Sequence, residues 1–249
     1  MQKQTGDSNG DNVPLYAPCR KISISDPFRW LKMGWQDFRR TPWHSLAYGL
    51  AFVFFGWLLL YVAWANDNNA LIFSLLFGFL ILGPVLCFGL YDISHQLEQN
   101  LKPTYRHERQ KAFHEMGHER LFATMMSMLL VLLFMVLSIM AGIEPEFGQT
   151  TGSYVVASLL IATFFAGLAF STSVFTLPMI LHQNTDGATA ILTSINAVLR
   201  NTRVLVLWAL MIFVFTAVGF ATLIGLAFIA PVLGYATWHG YRETIITKG

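Results

Sequence analysis

The sequence predicts an all-α polytopic membrane protein, with six transmembrane helices paired as three hairpins, each preceded by an amphipathic segment on the cytoplasmic side. Three observations lead there. Of the 249 residues, 55% are hydrophobic and only 12% carry charge, against about 25% charged in an ordinary soluble domain. The charge is also confined: no Asp, Glu, Lys or Arg occurs in 41–66, 68–91, 121–143, 147–185 or 204–241. Each of these windows meets or exceeds the roughly 20 apolar residues a helix needs to cross a bilayer core. The third observation is where the 16 Lys and Arg fall. Seven precede the first span, five lie in 92–120, and Arg200, Arg203, Arg242 and Lys248 make up the rest. With six spans all of them share one side, which the positive-inside rule assigns to the cytoplasm.

The elements follow in order. Residues 1–19 are polar, lack the apolar core of a signal peptide and read as a disordered cytoplasmic tail. Residues 20–245 form the membrane domain, and 246–249 form a second short tail. Spans are expected at 45–65, 70–91, 121–143, 154–181, 204–220 and 223–241. The last two come from one charge-free stretch, Val204–Tyr241. As a single helix it would run about 57 Å against a core of about 30 Å, so a turn near Gly219–Gly225 is expected.

The lead-in to the first span is "DPFRWLKMGWQDFRR". Asp26 reads as its cap and Pro27 as its first helical residue. Phe28, Leu31, Trp35 and Phe38 form an apolar stripe, with Arg29, Lys32, Gln36 and Arg40 facing away, as in a helix lying among headgroups. A shift of 160 residues aligns it without gaps to "DGATAILTSINAVLR", placing Asp26 on Asp186, Trp35 on Ile195 and Arg40 on Arg200. Pro84, Pro178 and Pro231 each lie in the cytoplasmic half of a returning span, where a proline removes a backbone hydrogen bond and kinks the helix. Together these features point to a repeated hairpin.

Few residues suggest chemistry. "HEMGH", residues 114–118, has the His-Glu-X-X-His form of zinc metallopeptidases, with His114 and His118 one turn apart and Glu115 placed to polarise a bound water. Glu119 and Arg120 follow it directly, and no third ligand stands at a familiar spacing; Asp186 shares the cytoplasmic face but reads equally as a helix cap. The motif is therefore read as coincidental, in a solvated charged segment. Cys19 and Cys87 form neither a disulfide framework nor a metal-ligand pair. No catalytic, cofactor-binding or metal-binding residue is assigned, and no cofactor is expected. No ionisable side chain is expected at mid-depth in a span, which disfavours coupled transport.

At "RKISISDPFRWLKMGWQDFRRTPWHSLAYGLAF" and "GLAFIAPVLGYATWHGYRE" the chain resembles a bacterial family of predicted integral membrane proteins, domain of unknown function 2189, over most of residues 20–245. The resemblance implies a six-helix protein of the inner membrane and brings no established activity. Some family members are labelled a cytochrome c oxidase subunit. Haem and copper need several buried histidines, whereas His44, His95, His182 and His239 flank span ends here.

The function these features favour is a non-enzymatic scaffold or assembly factor of the inner membrane. The alternatives are a channel or carrier for a neutral or lipid-like solute and, third, a zinc protease through His114, Glu115 and His118. Expected partners are anionic headgroups at the basic face and another membrane protein or a respiratory complex, with no nucleic acid. Both termini and the loops at 92–120 and 182–203 should be cytoplasmic. A cytoplasmic reporter fused after Lys248 should be active and a periplasmic one silent. The reverse result would reduce the count to five spans.

Overall fold

The computed structural model describes residues 16–65, 79, 83–84, 86–103, 122, 124–129, 131–133, 135–136, 151–222 and 224–246. Eight helices are bounded within them: α1 (Asp26–Arg40), α2 (Pro42–Ala65), α3 (Phe88–Glu98), α4 (Thr151–Ser173), α5 (Thr176–Gln183), α6 (Gly187–Arg200), α7 (Thr202–Ala221) and α8 (Leu226–Thr244). Residues 124–129 and 131–133 are helical as well. Among the described residues there is no strand, only an antiparallel bridge between Cys19 and Ile245.

Three helical stretches are long and apolar enough to cross a bilayer: Pro42–Leu59, Leu159–Gln183 and Thr202–Ala221. They expose large apolar side chains such as Phe54, Trp57, Leu160, Phe164 and Phe213, as lipid-facing helices do. More than half of the expected span at 70–91 and nearly half of that at 121–143 fall outside the described residues. The expected turn in 204–241 is present, because α7 ends at Ala221 and α8 starts at Leu226.

The prolines act differently from one another. A proline at position i clashes with the carbonyl of i−4 and leaves it without a donor. For Pro178 that carbonyl belongs to Val174, and it is at Val174–Phe175 that α4 gives way to α5. Ser194 of α6 stitches the break, its hydroxyl donating to the Ser171 carbonyl (2.8 Å) and accepting from Phe175 N–H (3.2 Å). Pro231 sits inside α8 without interrupting it.

α8 is the central helix. Fourteen of its nineteen residues are buried, and it packs against α1, α2, α3, α5 and α7. α1 lies along it, with a docking face offset from the apolar stripe that the sequence marks. The buried residues are Asp26, Pro27, Trp30, Gly34, Asp37 and Phe38, while Phe28 and Trp35 are exposed. The physical reason is the partner. Trp30 packs edge-on to Trp208 at 5.6 Å between centroids, and its indole N–H donates to Glu243 (2.7 Å). Gly34 lets the two backbones meet, since a Cβ there would stand 2.5 Å from the Val232 carbonyl oxygen. A tally of aromatic residues along α1 cannot see that neighbour. Asp26 also differs from expectation: it lies inside the first turn and accepts from Ser23 N–H (2.7 Å) rather than capping the helix. Asp186 does cap α6, accepting from Thr189 N–H at 3.0 Å.

α1 and α6 share a register. Pro27, Trp30, Gly34, Asp37 and Phe38 correspond, 160 residues on, to Gly187, Ala190, Ser194, Ala197 and Val198, and every one is buried. Each helix ends at one non-helical residue, Thr41 (φ −132°, ψ 57°) or Asn201 (φ −124°, ψ 34°), before an apolar helix begins.

Residues 16–25 form a strap rather than continuing the expected tail through residue 19. Arg20 N–H donates to the Thr244 carbonyl (2.8 Å) and Ile246 N–H to that of Pro18 (2.9 Å). Asn201 closes the strap from α6, its side chain accepting from Ile22 N–H and donating to the Arg20 carbonyl.

Gly49 brings α2 against α8 as Gly34 brings α1, its missing Cβ lying over the Ala227 backbone. Gly34→Leu and Gly49→Leu should therefore each push a helix off α8, at a cost of about 1–3 kcal/mol or more. Thermal melting in detergent should show both well below wild type. Gly83→Leu, where a Cβ meets nothing within 4 Å among the described residues, should melt close to it.

Candidate functional site

A polar cluster forms where α1, α3, α5 and α8 meet at their charged ends. Its centre is Asp37, only 4% exposed. Both partners bind one carboxylate oxygen: Ser94 Oγ–H donates to Oδ2 at 2.6 Å, and His239 Nε2 lies 2.8 Å from the same atom. A carboxylate oxygen only accepts, so Nε2 carries the hydrogen. The other ring nitrogen, Nδ1, faces Glu98 Oε1 at 4.0 Å.

Arg242 extends the cluster across two helices. Its Nε donates to Glu98 Oε2 on α3 (3.1 Å) and its Nη1 to His182 Nε2 on α5 (3.2 Å). Because a guanidinium only donates, His182 Nε2 is the acceptor and Nδ1–H the donor, directed at Tyr241 OH (3.0 Å). Gln183 donates to the same hydroxyl at 2.9 Å. The rings of His95 and His182 stand 5.3 Å apart, and His95 lies 5.2 Å from Trp238.

This geometry differs from that of familiar catalytic sites. In a serine hydrolase the histidine stands between serine and carboxylate. Here the carboxylate stands between Ser94 and His239, and Ser94 is fully buried. Among the described residues no group of three or more His, Cys, Asp or Glu is arranged to hold a metal ion. What the arrangement does chemically is join helices: α1 to α3 and α8 through Asp37, and α8 to α3 and α5 through Arg242. At the outer edge Arg29 pairs with Glu243 (2.6 Å), which holds the guanidinium above its usual pKa.

The residues singled out by motif fare differently. His114, Glu115 and His118 lie outside the described residues. Asp186 is an exposed cap whose carboxyl is held below the usual range by hydrogen bonds from Thr189. Burial pushes the Cys19 thiol up. His95, His182 and His239, placed by sequence only at span ends, are brought into one cluster. Asp37 and Glu98 belong to the same cluster, and no sequence motif marks either. Asp92, read as part of a loop, lies within α3 and is fully buried; Gln96 donates to its Oδ2 (2.7 Å), and its Oδ1 has no hydrogen-bond partner among the described residues.

Residues 71–182 match the family described as "Predicted integral membrane protein (DUF2189)". It is the family that the sequence resembles, although the two stretches carrying the resemblance, around α1 and α8, lie outside the matched segment. No curated protein and no solved structure matches the chain. The family's description and the three apolar helices agree on a membrane protein. Neither assigns an activity.

Replacing Asp37 with Leu should leave a buried hydroxyl and imidazole unmet and cost about 3–5 kcal/mol. Ser94→Ala removes one donor and should cost about 1 kcal/mol. Thermal melting of the purified proteins should rank Asp37→Leu far below Ser94→Ala. Equal melting temperatures would mean that the cluster does not hold the helices.

Proposed function

We propose that this protein is a non-enzymatic scaffold or assembly factor of the bacterial inner membrane, binding another membrane component through its apolar helix faces. In this reading it has six spans in three hairpins, both termini are cytoplasmic, and the hairpin is a repeated unit. The shared register of α1 and α6 and their matching one-residue breaks support the repeat. The observation that carries the functional reading is the inward closure of the polar cluster. Asp37, Ser94 and His239 are the groups with most chemical potential, and they are spent on one another beneath buried helices. What the protein offers outward is apolar, along α2, α4 and α7.

A second reading, the carrier, draws support from Asp92. A fully buried carboxylate in the charged half of a returning helix is the kind of group that marks a solute or ion path.

Photo-crosslinkers at Phe54, Phe164 and Phe213, exposed on α2, α4 and α7, separate the two in intact cells. The scaffold requires at least one position to give a discrete, reproducible adduct with a single membrane protein, the others labelling lipid. Lipid labelling at all three, with Asp92→Asn abolishing a solute flux measured in proteoliposomes, would replace it by the carrier.

A further inference from the structure

α1 and α6 bury corresponding residues, so their outward stripes can be compared station by station. On α6 the stripe is Ala188, Leu192, Ile195 and Leu199, with Leu192 43% and Leu199 72% exposed. The same stations on α1 are Phe28, Lys32, Trp35 and Arg39. Two exposed leucines are thus replaced by two exposed cations, one turn to either side of an exposed tryptophan. Among the described residues neither Lys32 nor Arg39 forms an ion pair, although Arg29 and Arg242 on the same end do.

The position of the stripe says what it meets. α1 passes into the apolar helix α2 across the single residue Thr41, and Trp43, on the first turn of α2, is 81% exposed. Exposed tryptophans at the start of a spanning helix mark the boundary between headgroups and acyl chains. At that level Lys and Arg stems run along apolar surface and their charges reach the phosphates. Charge-assisted contact with phosphate oxygens is stronger than contact with neutral acceptors. α6, at matching stations, offers only hydrocarbon.

We propose that Lys32, Trp35 and Arg39 form a docking surface for an anionic phospholipid, the cations on its headgroup and the indole at the acyl boundary. The inference rests on α1 lying at the membrane surface, as in the reading above, and gives only one of two related helices a preference for lipid charge.

The test uses the full-length protein in a neutral detergent, titrated with phosphatidylglycerol or phosphatidylcholine and observed by native mass spectrometry. Wild type should bind its first phosphatidylglycerol more tightly than phosphatidylcholine. The Lys32→Leu/Arg39→Leu double variant, which installs the residues found on α6, should weaken the phosphatidylglycerol Kd by about five- to thirtyfold and leave phosphatidylcholine unchanged. Arg40→Leu, on the other flank of α1, should behave as wild type. An unchanged Kd in the double variant, or an equal loss in Arg40→Leu, would overturn the proposal. Failure of wild type to reconstitute into phosphatidylcholine vesicles would instead refute the membrane placement on which it rests.

Discussion

A carboxylate buried beside a membrane persists only where its charge is met, because the desolvation of an unmet ion costs several kcal/mol. Asp37 is such a group, and the rest of the arrangement follows from how it is met. Its partners come from α3 and α8, so α1 must lie where Ser94 and His239 can both reach one oxygen atom. That position puts Gly34 on the backbone of α8 and Trp30 over Trp208. It also decides which face of α1 is left outside. Phe28 and Trp35 of the apolar stripe are the residues that this docking leaves exposed.

The cluster ties helices together, and Arg242 spans two of them with one side chain, as a planar fork of donors can. In a bilayer, helices gain little by hiding apolar surface from one another, since lipid is as apolar as they are. Polar contacts at the aqueous edge are then the natural place to specify which helix meets which. The N-terminal strap serves the same end with backbone hydrogen bonds, joining α6 and α8 to the start of the chain.

Helical class and membrane residence were legible from the sequence because they depend on local composition: a high apolar fraction and long charge-free windows. So was the turn between α7 and α8, from length against bilayer thickness. The face of α1 was not legible, because burial there is decided by a partner about two hundred positions away. Gly34 was the available signal: a glycine four residues after Trp30 and three before Asp37 marks a close-packed face, and counting aromatics passes over it. The cluster was partly legible. Its histidines stood out at span ends, but each was read against its own helix, and convergence is a property of the tertiary fold. The Pro178 break illustrates the remaining gap, as the rule names the carbonyl that loses its bond but not the serine, Ser194, that repairs the turn.

The pairing of Asp37 with His239 has a consequence for how the chain is made. The two residues are 202 positions apart, which at about 5–20 residues per second is about 10–40 s of synthesis. For that interval α1 exists without α8, the helix that covers most of its buried side, and Asp37 lacks its His239 partner. α1 therefore completes its seating late, and that completion reports that α8 has arrived. A chain cut short before α8 would lack Glu243 and His239, and with them the acceptor for the Trp30 indole N–H and one of the donors to Asp37.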